Sequence, residues 1–251
     1  MIGALVGVLG GLIGLGGAEF RLPFLIGVFG FAALHAVVMN KAMSLVVVVT
    51  AIPARLIVTP LEQVSPHWDV VINLLIGSFI GAWVGATWAT KIASETLYKV
   101  LGTLLLLIAV LLAVTHIWAT PTLELTIGAQ WAAGVVAGFI FGVVAALMGV
   151  AGGELLIPTL VLLYGIDIST AGTLSLLVSL PTMLVAFARF SRDDSFQVLR
   201  RNPGFFLSMT AGSILGTIIG GLLSGVVSAA VIVPLLVALL VFSAWKVWHH
   251  K

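Results

Sequence analysis

The stretch Gly14-Leu-Gly-Gly-Ala-Glu-Phe-Arg-Leu-Pro23 interrupts an otherwise apolar sequence with glycines, two charges and a proline. A second stretch, Gly149-Val-Ala-Gly-Gly-Glu-Leu-Leu-Ile-Pro158, shares its Gly-x-x-Gly-x-Glu-x-x-x-Pro pattern at an offset of 135 positions. Composition alone does not explain so long a shared pattern. We therefore interpret the chain as a two-fold repeat, with residues 1–120 and 121–251 as the two transmembrane halves.

Further matches extend the repeat beyond these two stretches. The pattern Gly77-Ser-x-x-Gly81-x-x-x-Gly85 recurs as Gly212-Ser-x-x-Gly216-x-x-x-Gly220, again 135 positions later. Between them, Met43-Ser44-Leu45 matches Leu174-Ser175-Leu176 at an offset of 131, which predicts a short insertion in the first half. The first helix begins later in its repeat than its counterpart does. Three explanations stay open. The true start of the helix lies upstream, the start was removed, or this first helix does not span the membrane.

The composition predicts a protein whose surface faces lipid. Of 251 residues, 61% are hydrophobic and 8% are charged, against about 25% charged in a soluble domain. Lipid leaves backbone groups to be satisfied by helices or closed barrels, and the long continuous apolar runs favour helices. We predict an all-α, polytopic protein of the bacterial plasma (inner) membrane, with the lipid bilayer but no nucleic acid as a partner. The predicted segments are 2–15, 19–31, 37–58, 70–90, 97–118, 127–148, 153–166, 170–189, 204–223 and 227–248.

Two of these segments, 19–31 and 153–166, are too short to span. Each has about 13 residues, or roughly 20 Å of helix, and each follows a glycine cluster. If each short segment is nevertheless counted as one crossing, each half has five crossings. An odd number of crossings per half gives the two halves opposite orientations in the membrane, an inverted repeat. It also gathers the basic residues on one side, leaving Arg55 on the other. We favour this inverted arrangement with the Arg189–Pro203 loop in the cytoplasm; a parallel arrangement with four crossings per half stays open.

The two glycine stretches are where we predict the substrate site. Glycines tolerate positive φ, and a short helix that follows them directs free N–H groups and a positive dipole end toward an anion. Paired breaks at matching positions of two halves are typical of a transporter; the alternative is that the glycines only permit close packing. The predicted helix-breaking residues are Gly14, Pro23, Gly149 and Pro158, and the predicted substrate-binding residues are Gly16, Gly17, Ala18, Glu19, Arg21, Lys41, Ser44, Gly152, Gly153, Glu154 and Ser175.

Arg21 is the residue that we predict to bind the charge of the anion. It has no charged counterpart in the second half, and its guanidinium offers a bidentate fork to an oxyanion. A structural salt bridge to Glu19 or Glu154 is the alternative. These two glutamates either interact with the helix dipole or take part in a proton-linked cycle, and both interpretations stay open. Ser44 and Ser175 add hydroxyl donors unless they bond back to their own helix, which is more common.

The sequence contains no signature of an enzyme. It has no His-Glu-x-x-His, no P-loop, no Gly-x-Ser-x-Gly string and no cysteine. These absences argue against zinc hydrolases, nucleotide-binding enzymes and serine or cysteine nucleophiles. We therefore expect a protein that is not an enzyme and needs no metal and no cofactor.

The paired motifs resemble those of a known family. Two glycine breaks, each followed by a glutamate and a proline, and in particular the Gly14–Pro23 stretch, resemble the TauE/SafE family of sulfite and organosulfur anion exporters, over nearly the whole chain. The resemblance implies export of sulfite or a sulfonate such as sulfoacetate, released when organosulfur compounds are degraded. An importer or permease of another small anion, and a membrane assembly subunit without transport, stay as alternatives. The sequence leaves open which anion, direction and coupling apply, and whether the chain forms a homo-oligomer.

Overall fold

The computed structural model describes residues 1–13, 17–117, 125–223 and 229–249, and every regular element in these ranges is helical. Gly14 and Gly16 lie outside the described residues, and at Glu154 only the backbone is described. The predicted all-α class is confirmed. The α-helices are α1 (Ile2–Ile13), α2 (Ala18–Gly27), α3 (Ala33–Val58), α4 (Leu61–Val64), α5 (Trp68–Ala89), α6 (Ser94–Ile117), α7 (Ile127–Met148), α8 (Gly153–Tyr164), α9 (Ile168–Phe190), α10 (Gln197–Arg201), α11 (Pro203–Leu223) and α12 (Ala229–Trp248).

Helix lengths agree with a polytopic membrane protein. Six helices of the described ranges are long and apolar enough to cross a membrane. Helices α2 and α8 have 10 and 12 residues, about 15 and 18 Å, and neither reaches across a bilayer core. The loop after α9, expected from sequence as a simple connection, instead contains α10 and a 3₁₀ turn at Asp194–Phe196.

Two glycine-lined helix pairs join the first half of the sequence to the second. Helix α1 packs along α11, and α5 packs along α7. A Cβ added to Gly81 would overlap the carbonyl group of Phe139 in α7, and one on Gly7 would overlap that of Ser213 in α11. Backbone therefore meets backbone at these crossings, as in other small-residue interfaces between membrane helices. The glycine patterns of α5 and α11 serve packing.

Helices α3 and α9 run antiparallel to each other. Toward the end of α3, the hydroxyls of Thr59 and Ser169 lie 3.1 Å apart. Nearer the middle, Leu45 and Met183 belong to one apolar cluster. Residue numbers thus rise along α3 while they fall along α9, although the two helices hold equivalent places in the two halves of the sequence.

Helices α7 and α8 form a hairpin whose turn is buried. Gly149 ends α7 and Gly152 precedes α8, both in the left-handed region with φ of 69° and 71°. The side chain of Gln130, near the start of α7, donates to the carbonyl of Leu163 near the end of α8 at 2.6 Å. Helix α8 therefore returns toward the side from which α7 starts. Val150, within the turn, is fully buried, so the turn lies in the protein interior.

The ends of α5 and α9 are neighbours. The guanidinium of Arg189, in the last turn of α9, donates to the hydroxyls of Thr87 and Thr90 at 2.9 and 3.3 Å. The Lys91–Lys99 connection follows α5, and the Arg189–Pro203 loop follows α9. Both basic segments therefore leave the bundle at the same end.

This arrangement predicts which residues face the cytoplasm. In this cysteine-free chain, Ser94→Cys and Ser191→Cys should react with a membrane-impermeant thiol reagent from the cytoplasmic side, and Gln63→Cys, after α3, from the opposite side. All three side chains are exposed, so access to the reagent reports sidedness rather than burial. Intact cells and everted vesicles provide the two exposures. Labelling of Ser94→Cys and Gln63→Cys from one and the same side would contradict the arrangement.

Candidate anion-binding site

The side-chain amide of Asn40 joins the two glycine breaks. Its Nδ2 donates to the carbonyl of Ala18, the first residue of α2, at 3.0 Å. The same nitrogen donates to the carbonyl of Met148, the last residue of α7, at 3.1 Å. Asn40 lies on α3 and is fully buried. One side chain thus connects the break in the first half to the break in the second.

Arg21 is fully buried and is bound by neutral acceptors from two other helices. Its Nε donates to Oδ1 of Asn40 at 2.8 Å, and Nη2 donates to the hydroxyl of Ser44, also on α3, at 2.9 Å. Its Nη1 donates to the hydroxyl of Ser213 on α11 at 3.1 Å. Burying a charged group without such partners costs several kcal/mol or more, so these bonds fix where the guanidinium lies.

Lys41 is also fully buried and lies beside the second break. Its Nζ donates to the carbonyls of Ala145, in the last turn of α7, and Val150, in the turn before α8. The carbonyl end of a helix carries partial negative charge, so an ammonium there is stabilised. The structure therefore explains Lys41 as a cap on α7, placed one residue along α3 from Asn40.

The equivalent positions of the second half carry no such cluster. Arg21 corresponds to Leu156 at the offset of 135, and Lys41 corresponds to Gly172 at the offset of 131. The hydroxyl of Ser175, the counterpart of Ser44, donates back to the carbonyl of Gly172 at 2.8 Å. Back-bonding, the more common situation for serine, is thus what Ser175 does. The buried cationic cluster belongs to one half only.

The two short helices begin with the same backbone geometry. Gly17 and Gly152 precede them with φ of 70° and 71°, a conformation that glycine adopts at least cost. First-turn amides of a helix have no intrahelical acceptor and are suited to an anion. An added Cβ on Gly17 would also overlap the carbonyl of Val6, and one on Gly149 that of Val37. These glycines therefore allow close packing as well as the break, so the two interpretations of the motif are compatible.

Pro23 and Pro158 lie inside α2 and α8, at corresponding places. A proline has no N–H for the carbonyl four residues earlier, which is that of Glu19 in α2 and of Glu154 in α8. Glu19 itself is buried, with 1% of its surface exposed, and lies close enough to Arg21 for the two charges to attract. Its carboxyl group therefore belongs to the environment of the guanidinium.

Asn40 and Ser213 belong to the cluster but are not among the predicted substrate-binding residues; the sequence indicates Asn40 only as a cap or a cavity residue. Each is a polar residue in a long apolar helix, and each is fully buried. Ser213 was available as the serine of the Gly-Ser pattern in α11, but its counterpart Ser78 bonds to Thr182 instead. Only the folded arrangement of α2, α3 and α11 shows that both side chains accept hydrogen bonds from the guanidinium of Arg21.

A cavity of about 140 Å³ lies elsewhere, between α1, α2 and α12. Its walls are apolar apart from Ser243 and Lys246, which does not suit a small anion. Within the described residues, no group of three or more His, Asp or Glu is placed to hold a metal ion. The buried cluster around Arg21 is therefore the candidate site.

A comparison with models of protein families assigns the chain to a family. The sequence model described as "Sulfite exporter TauE/SafE" matches residues 1–247, nearly the whole chain. The chain belongs to the TauE/SafE sulfite exporter family. Members of the TauE/SafE family are transporters rather than enzymes, and the six long apolar helices make this member a multi-pass membrane protein. Neither the curated proteins nor the solved structures gave a match.

The two serines provide a matched test of the cluster. Ser44→Ala removes an acceptor from a buried guanidinium and should lower the free energy of unfolding by about 1–3 kcal/mol. Ser175→Ala removes a bond within one helix and leaves no charged group without a partner, so it should lower the free energy of unfolding by only about 0.5 kcal/mol. Unfolding in detergent micelles, followed by circular dichroism, measures both. Equal losses in the two variants would show that Ser44 does not stabilise Arg21.

Proposed function

We propose that this chain exports sulfite, or a closely related organosulfonate, across the bacterial plasma membrane. The observation that carries the proposal is the fully buried Arg21 beside the first turn of α2. A guanidinium has five N–H donors, and Arg21 uses three on neutral acceptors of the described residues. The remaining two N–H groups match the oxygens of a sulfite or sulfonate group.

In the proposed site the anion binds between the first turns of α2 and α8. Arg21 is its charged ligand, and the amides that follow Gly17 and Gly152 add donors at helix ends with positive partial charge. Lys41 contributes positive charge nearby while it caps α7. A site of this composition, with no covalent step, binds an anion and does not transform it.

Transport through this site is proposed to use two inverted repeats. The antiparallel packing of α3 and α9, which hold equivalent places in the two halves, supports that topology. Transporters with inverted repeats expose a midplane site to either side by moving one part against the other. Asn40 bonds to both breaks, so movement of α2 relative to α7 must change its contacts with Ala18 or Met148.

The membrane potential is sufficient to drive export. When an anion leaves a cell with a negative interior, its electrical free energy falls by about 2.3 kcal/mol per charge per 100 mV. A uniport mechanism therefore needs no coupled ion, and Glu19 and Glu154 serve as acidic residues at helix starts. A proton-linked cycle is the alternative for these glutamates. Sulfite efflux that stops when a proton gradient is collapsed at fixed potential would favour it.

Two substitutions of Arg21 test the proposed ligand. Arg21→Lys keeps the charge but loses the planar fork, and should raise the half-saturating sulfite concentration by about tenfold or more, as expected for one charged hydrogen bond. Arg21→Leu, which copies Leu156 of the second half, should abolish sulfite flux into proteoliposomes. Size-exclusion profiles and unfolding temperatures show whether each variant is folded.

The outcomes separate the proposal from its alternatives. Full sulfite flux in folded Arg21→Leu protein would exclude Arg21 as a ligand and leave the helix ends as the site. Absence of flux for every small anion tested with wild-type protein would favour a membrane assembly subunit instead.

A further inference from the structure

The guanidinium of Arg55 lies against a glycine of α9 and has no acceptor among the described residues. The position that a Cβ of Gly172 would occupy is 3.3 Å from Nη1, 3.5 Å from Cζ and 3.6 Å from Nη2 of Arg55. The flat group therefore covers the glycine, and a larger residue there would push it away. Arg55 is partly exposed and near the end of α3.

Arg55 differs in this respect from Arg21 and Lys41. Arg21 donates three hydrogen bonds to side chains, and Lys41 donates two to carbonyls. Both are fully buried, so their charges are bound into the fold. The donors of Arg55 remain available to a ligand that approaches from water, since a guanidinium can give up to five hydrogen bonds.

The repeat explains how room for this guanidinium arises. Gly172 is the counterpart of Lys41 at the offset of 131. In the first half the lysine side chain extends from this position to the carbonyl end of α7. In the second half the position has no side chain, and the guanidinium of Arg55 takes up the space in front of it. The first half thus has Lys41 at this position, and the second half has the guanidinium of Arg55 beside it. Both side chains come from α3.

Exposure changes along α3 between these cations. Met39 and Met43 have no exposed surface, whereas Val49 is 52% exposed and Thr50 and Pro53 are exposed as well. Ser44, which contacts Arg21, precedes Arg55 by 11 residues, about 16 Å along the helix axis. Arg55, which is partly exposed, therefore lies farther along α3 than the closed cationic cluster, at the end away from the basic loops.

Asp167 is the acidic residue next to this end of α9. Its carboxylate accepts the amides of Ser169 and Thr170, each at 3.0 Å, as the N-cap of the helix. The hydrogen bonds from Thr170, first that of its side chain, hold the pKa of Asp167 below its usual range. The carboxylate therefore stays charged and bound to the start of α9.

We infer that Arg55 is a second contact for the transported oxyanion, at the mouth of the pathway on the side opposite the Arg189–Pro203 loop. This inference rests on the proposed function and deepens it by adding a residue that releases or receives the anion. Partial exposure of Arg55 makes the contact weaker than one at Arg21, as a mouth requires, because an anion bound tightly there would not leave.

The test compares sulfite presented from each side of the membrane. Right-side-out and everted vesicles of cells that produce the full chain are given sulfite over a range of concentrations, and initial flux is measured. In Arg55→Ala, the half-saturating concentration should rise about tenfold for sulfite added on the Arg55 side, which is the lower end for a charged hydrogen bond. For sulfite added on the other side, the half-saturating concentration of this variant should change by less than about twofold.

Two further variants make the result specific. Gly172→Ala adds a methyl group in contact with the guanidinium of Arg55, and because alanine favours a helix the variant should fold. It should raise the half-saturating sulfite concentration on the Arg55 side by several-fold. Arg200→Ala removes one exposed arginine from α10 and is the matched control, with no shift expected on the Arg55 side.

Each outcome decides between the two proposals. Normal wild-type flux with Arg55→Ala and Gly172→Ala both identical to Arg200→Ala would overturn the assignment of Arg55 and leave the exporter proposal standing. Absence of sulfite flux in wild-type vesicles would overturn the exporter proposal, and the assignment of Arg55 with it. A shift of equal size on both sides would place Arg55 in the central site and contradict a separate contact at the mouth.

Discussion

The amide of Asn40 is the interaction on which the rest of the site depends. A buried primary amide has two donors and an acceptor, and here one nitrogen bonds to both glycine breaks while the oxygen accepts from Arg21. The positions of α2, α3 and α7 are thereby coupled at a single side chain. Since unsatisfied buried carbonyls cost about 1–3 kcal/mol each, the three helices are held in one arrangement as long as these bonds persist.

The same interaction accounts for the asymmetry of the site. Two similar halves provide two similar breaks, with left-handed glycines before α2 and α8. The second half has alanine and glycine where the first has Asn40 and Lys41, and leucine where it has Arg21. One half therefore provides the charged groups and the other provides mainly backbone. In the proposed site, an anion would therefore contact two unlike surfaces.

Much of the fold follows from the sequence because apolar length and glycine placement are local signals. Ten apolar runs predict ten of the twelve α-helices in the described residues, and the length of the runs predicts that α2 and α8 are short, as the structure confirms. The short α4 and α10 were missed because elements of four and five residues are too short to carry a periodic signal. Arg21 and Lys41 could be singled out as isolated charges in apolar sequence, since charge in lipid is expensive.

The partners of those charges could not be predicted in the same way. Ser213 lies 192 positions from Arg21, and whether it or a glutamate accepts from the guanidinium depends on how α11 packs against α2 and α3. Lys41 was assigned to the substrate on its charge alone, and its contacts with two carbonyls become visible only when the end of α7 is in place. Ser175 matches Ser44 in sequence, but its hydroxyl donates to its own helix whereas that of Ser44 accepts from Arg21, which residue type alone does not predict.

Equilibrium binding of sulfite to the purified protein tests the central claim most directly. Isothermal titration in detergent reports affinity and stoichiometry without a membrane, a gradient or a direction of transport. The account predicts saturable binding of one sulfite per chain, displaced by a competing organosulfonate and lost when Arg21 is replaced by leucine in protein that remains folded. Saturable binding that is unchanged by that replacement would contradict an anion site built around Arg21.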